Sequence, residues 1–128
     1  TIHQESTTRL YSCIEKIKSR GVKAGVVLSP ATNEDTLKYV LDKIDMILLM
    51  TINPGEAGPG FHEELLTKIK NVRELIGDRD IDLEVDGGID NTNIAKCKEA
   101  GVNVFVSGGY VFKGDIAEKI KTLREALK

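Results

Sequence analysis

The chain has 128 residues, enough for one domain of ordinary size. Apolar residues make up 41% and charged residues 30%, and 18 basic side chains against 20 acidic ones leave a net charge of −2. That is the composition of a soluble globular domain, without the basic face that nucleic acid requires and without the roughly 20-residue apolar run of a membrane span.

The opening Thr1-Ile2-His3-Gln4-Glu5 has neither a basic leader nor an apolar signal core, so no secretory signal is expected. It looks instead like the tail of a strand. Leu10, Cys13, Ile14 and Ile17 then recur at helical spacing over 10–19, and Gly21 stops the helix. A short buried strand spans 23–28 and ends at Ser29-Pro30. Asn33 offers an N-cap to a helix over 36–41 carrying Leu37, Val40 and Leu41.

The run 45–52 is apolar on both faces, as parallel strands covered by helices are. The long loop Asn53-Pro54-Gly55-Glu56-Ala57-Gly58-Pro59-Gly60 follows it. A helix over 63–75 comes next, then a strand over 81–85 closing on Asp86-Gly87-Gly88. A helix over 92–100 ends at Gly101, a strand over 102–106 ends at Ser107-Gly108-Gly109, and an amphipathic helix over 116–127 closes the chain. Cys13 and Cys97 lack metal or disulfide spacing and read as small buried hydrophobes, which suits a reducing, cytoplasmic setting.

Strand and helix alternate at the spacing of right-handed parallel crossovers. The expected fold is α/β: four parallel strands each followed by a helix, plus an N-terminal helix, as in the C-terminal half of a (β/α)₈ barrel. Residues 1–128 form one partial-barrel domain. A doubly wound open sheet fits the same pattern. In both folds the informative residues directly follow strands.

Glycines cluster at those positions. Gly58, Gly87, Gly88, Gly108 and Gly109 can let backbone approach an anion and turn N–H groups towards it. Taken singly, each glycine reads as a tight turn; paired at successive strand ends, they read as a phosphate site. Asp86 is the one carboxylate placed directly at a strand end, and it suits a general acid or base or a ligand to a divalent cation. The plainer role, an N-cap, falls better to Asp90 or Asn91. Glu84 is expected in the helix layer or solvent, and Met50 taken alone is core filling. His3 and His62 read as polar surface residues without ligands at suitable spacing.

Four segments carry a family likeness: 26–32 (Val-Val-Leu-Ser-Pro-Ala-Thr), 49–55 (Leu-Met-Thr-Ile-Asn-Pro-Gly), 84–89 (Glu-Val-Asp-Gly-Gly-Ile) and 106–112 (Val-Ser-Gly-Gly-Tyr-Val-Phe). In this order the chain resembles the ribulose-phosphate 3-epimerase family, along essentially its whole length. The resemblance implies a TIM barrel with a divalent metal (zinc, iron or manganese) that interconverts ribulose 5-phosphate and xylulose 5-phosphate at carbon 3. Two aspartates exchange the proton through an enediolate that the metal holds.

By the same resemblance Asp86 is the second aspartate and a metal ligand. Gly58, Gly87, Gly88, Gly108 and Gly109 grip the phosphate, and Met50 caps the enediolate. The other aspartate, two histidine ligands and a serine belong to the family's first three strands and are not among these residues. Glu56 and Pro59 depart from the family's Pro-Gly-Phe-Gly-Gly-Gln, and Gly109 replaces a serine. Ala57-Gly58 is similar to the allulose-6-phosphate 3-epimerase branch. Other readings are a hexulose-phosphate synthase or decarboxylase relative, or a non-catalytic phosphate-binding half-barrel. The open edges of four strands lead to the expectation of a homo-oligomer, or of a missing N-terminal half-barrel as partner.

Overall fold

Five parallel strands lie side by side in chain order, β1 (Ile2–His3), β2 (Gly25–Leu28), β3 (Met46–Met50), β4 (Asp82–Asp86) and β5 (Val104–Val106). The computed structural model describes residues 1–56 and 60–128. The strand order never reverses, so the sheet has no switch point. It is wound as a barrel wall rather than as a doubly wound sheet. The tail seen in the sequence is a true fifth strand, pairing Ile2 with Val26 and His3 with Val27.

Strand period decides the two faces. Val26, Leu28, Ile47, Leu49, Leu83 and Val85 point to one side and are at most 2% exposed. Four helices cover that side: α1 (Leu10–Lys18), α2 (Leu65–Ile76), α3 (Ile94–Ala100) and α4 (Ile116–Ala126). They contribute Leu10 and Ile14, then Ile69, Val72 and Ile76, then Ile94, Cys97 and Ala100, and lastly Leu123. On the other side Met46, Leu48, Met50, Glu84, Asp86, Val104 and Val106 are only half-buried.

The helix expected over 36–41 is not one. Asn33 does cap a turn, its side chain accepting from the Asp35 amide at 2.7 Å, but the chain then runs through two 3-10 turns, Glu34–Leu37 and Leu41–Lys43. Thr36, Tyr39 and Val40 are poor helix formers, and burying Leu37, Val40 and Leu41 needs no regular helix. Cys97 is buried, and its desolvation pushes the thiol up to about 11. Cys13 is half-buried rather than part of the core.

Candidate active site at the C-terminal ends of the strands

Met50 and Asp86 are register partners at the last rung between β3 and β4, and Val106 lies beyond Asp86 on β5. The ladder runs one bond further, from the Thr51 amide to the Asp86 carbonyl at 2.9 Å. Thr51 is fully buried and its hydroxyl donates to the Gly87 carbonyl. Two bonds from one residue therefore fix the backbone directly after the Asp86 side chain.

That side chain is half-buried and has no hydrogen-bond partner among the described residues. Burial alone pushes its pKa above the ordinary carboxylate value. It does not cap α3, which begins after Asn93. Glu84 corrects the sequence reading. Two residues from Asp86 on the same strand, it shares Asp86's face rather than the helix layer, because strand side chains repeat with period two. Its pKa is also raised, first by burial and then by the charges of Asp86 and Asp82.

The two glycine pairs flank this row. Gly87 has φ +127° and Gly88 φ +66°, a region that side-chain-bearing residues rarely enter. A Cβ at Gly87 would lie 2.8 Å from the Ile52 nitrogen, and one at Gly88 would lie 2.9 Å from the Phe61 nitrogen. Gly108 and Gly109 have ordinary φ, and a Cβ on them would meet nothing within 4 Å.

Four carbonyls of the turns are taken. Thr51 holds that of Gly87, the Asn93 side-chain amide holds that of Gly88 at 2.8 Å, Ser107 Oγ that of Ile89 at 2.6 Å, and the Phe112 amide that of Gly108 at 3.0 Å. The amides of Gly87, Gly88, Gly108 and Gly109 have no acceptor among the described residues. Donors left free beside occupied acceptors make a surface suited to an anion. Gly58, the fifth glycine of the sequence reading, lies outside the described residues.

Asn93 and Thr51 were not singled out from sequence. Asn93 is 6% exposed and also accepts from the Asp90 amide at 3.0 Å, so it staples the β4 turn. A threonine ending an apolar strand and an asparagine just before a helix are weak signals, and only the closed turn gives them meaning. His3 and His62 each lie near a carboxylate two residues along, at 3.4 Å from Glu5 and 3.7 Å from Glu64, which spacing had not suggested. Neither gains a third ligand. Among the described residues no group of three His, Cys, Asp or Glu side chains could hold a metal ion. Asp86 is a single ligand, so the residues of this chain alone do not fit the divalent ion that the family resemblance implies.

The ribulose-phosphate 3 epimerase family matches residues 1–112. The chain belongs to this family. It is 47% identical over 114 residues to a ribulose-phosphate 3-epimerase of Serratia marcescens, covering 88% of this chain and 54% of that protein. Over 124 residues it is 42% identical to the chloroplastic ribulose-5-phosphate-3-epimerase of Arabidopsis thaliana, covering 94% of the chain and 44% of the relative. Against the ribulose-phosphate 3-epimerase of Escherichia coli K12 the identity is 41% over 130 residues, covering 99% and 58%. The chain thus spans about half the length of the relatives it matches. The Ala57-Gly58 pair behind the hexulose-phosphate alternative lies outside the described residues. No helix among the described residues is long and apolar enough to cross a membrane.

Proposed function

We propose that this chain supplies one proton-transfer carboxylate and the phosphate grip of a ribulose-phosphate 3-epimerase, interconverting ribulose 5-phosphate and xylulose 5-phosphate. The observation that carries the reading is the row formed by Asp86 and Met50 on the open face, flanked by four glycine amides without acceptors among the described residues. The amides of Gly87, Gly88, Gly108 and Gly109 would bind the phosphate oxygens, leaving the sugar carbons over the strand ends. Gly58 would join them from the next loop.

Asp86 would remove or return the proton at carbon 3 on one side of the sugar. Its raised pKa suits that work, since a base nearer the working pH returns the proton as readily as it takes it. Met50, adjacent on β3, would keep water off the intermediate. The group acting on the opposite side must come from outside these residues, as must any further ligands to a divalent ion. The partner is therefore the remaining half of a barrel, seated on the open face, in the cytoplasm.

The test joins this chain to the first strands of a relative and follows both turnover and deuterium entry at carbon 3. Turnover is expected, and Asp86→Asn should lower it by about 10²–10⁴-fold with the ketose phosphate still bound. A joined protein that is inactive with added zinc, iron or manganese, or an Asp86→Asn variant of full activity, would sink the assignment.

A further inference from the structure

Lys68 on α2 is the one charged side chain that the fold buries among the described residues, at 9% exposure. A buried ammonium is expensive unless it is fully bonded. Lys68 Nζ donates to two neutral acceptors, the carbonyls of Ser29 at 2.9 Å and Pro30 at 3.1 Å. Desolvation pulls its pKa below the ordinary lysine value, opposed only by the more distant charges of Glu34 and Glu5. A leucine or methionine would fill this position with less penalty, so packing alone gives no reason for a lysine here.

The same segment is seized from the other side. Glu5, in the turn after β1, accepts the Ser29 amide at 2.8 Å and the Thr32 hydroxyl on one carboxylate oxygen. These bonds outweigh partial burial and hold its pKa at about 2. Ser29 therefore gives its N–H to a carboxylate and its C=O to an ammonium, and the Thr32 amide closes the turn on the Ser29 carbonyl at 3.1 Å. Ser29 directly follows Leu28, the register partner of Leu49, so the turn begins level with Met50 and Asp86.

We propose that Lys68 and Glu5 are positioning residues that clamp the Ser29–Thr32 turn as the wall of the site beside Met50. The role in the site rests on the epimerase reading; the clamp itself does not. Amide hydrogen exchange on the 128-residue chain tests the clamp. Lys68→Met should speed exchange at the Ser29 and Thr32 amides by about 10-fold or more while β3 and α2 stay unchanged, and Lys68→Arg should restore much of the protection. Glu5→Ala provides the same local readout at the Ser29 amide should Lys68→Met fail to fold.

Unchanged exchange at the Ser29 and Thr32 amides, or a uniform rise across the sheet, overturns the clamp. In the joined barrel, Lys68→Met should raise KM for ribulose 5-phosphate by about 10-fold with kcat within about twofold. A fall in kcat alone, or no change in either, overturns the role in the site. A joined wild-type barrel without turnover removes the epimerase reading and the wall with it, and leaves the exchange result to decide the clamp.

Discussion

Gly87-Gly88 follow β4 directly, whereas Gly108-Gly109 follow β5 one residue later, after Ser107, in the next βα unit. At the first pair the backbone takes φ of +127° and +66° and packs against Ile52 and Phe61 so closely that a Cβ has no room. At the second pair φ is ordinary and open space lies where a Cβ would go. The fold accounts for the glycines after β4 whether or not anything binds there. It does not account for those after β5, whereas the close approach of the proposed phosphate would. Identical dipeptides thus carry different evidence: the β5 pair argues for phosphate, while the β4 pair argues first for the turn that aims Asp86.

The sharpest way to break this contrast is to add a methyl group at each turn. Gly87→Ala should lower the unfolding free energy by roughly 2–4 kcal/mol, from forced φ and from the clash with the Ile52 backbone, read as a lower urea midpoint. Gly109→Ala should leave stability within about 0.5 kcal/mol. In the joined barrel it should weaken ribulose 5-phosphate binding by about 10-fold, close to 1.4 kcal/mol, by crowding the free amide. If both substitutions proved equally damaging to folding, the β5 glycines would be structural after all. A smaller effect is expected where the two turns meet. Ser107→Ala removes the bond to the Ile89 carbonyl, and a loss of about 1 kcal/mol should appear in the same urea titration.

Much of the wall was legible because parallel strands announce themselves by apolar runs on both faces, and glycine marks where they end. Ile47, Leu49, Leu83 and Val85 are fully or nearly fully buried as those runs imply. The segment after β2 misled because Leu37, Val40 and Leu41 are spaced for a helix, yet burial is served equally by 3-10 turns. Asp86 stood out because it lies at a strand end, where local pattern suffices, whereas Met50 reads as core filling by pattern and was raised only by the family resemblance. Lys68 and Glu5 escaped because their meaning depends on Ser29, 39 and 24 residues away in the chain, and local pattern carries no such pairing. Glu84 was misread by an error of parity rather than for want of signal.

The smallest expected effect separates the turns by charge. The β4 turn follows a strand bearing two carboxylates of raised pKa, and the β5 turn follows one with no titratable side chain. A folded pKa above the ordinary aspartate value of 3.8 means that folded Asp86 holds its proton better than the unfolded chain does. Its charge therefore weakens the fold. The penalty is complete above the folded pKa and is relieved as pH falls towards 3.8.

Asp86→Asn should accordingly raise the urea midpoint at about pH 7, with a gain that shrinks as pH falls through the carboxylate range. Partial exposure screens the charge and keeps the gain small. Asp45 titrates in the opposite sense, because the Lys18 ammonium and the Ala24 amide hold its pKa down, but it is common to both proteins and cancels in the difference. Gly109→Ala, measured alongside, should show no pH-dependent difference from the parent chain. A midpoint that fell on Asp86→Asn at neutral pH would mean that the carboxylate is stabilised within the chain, and the idea of a charge held ready for an external substrate would lose its physical basis.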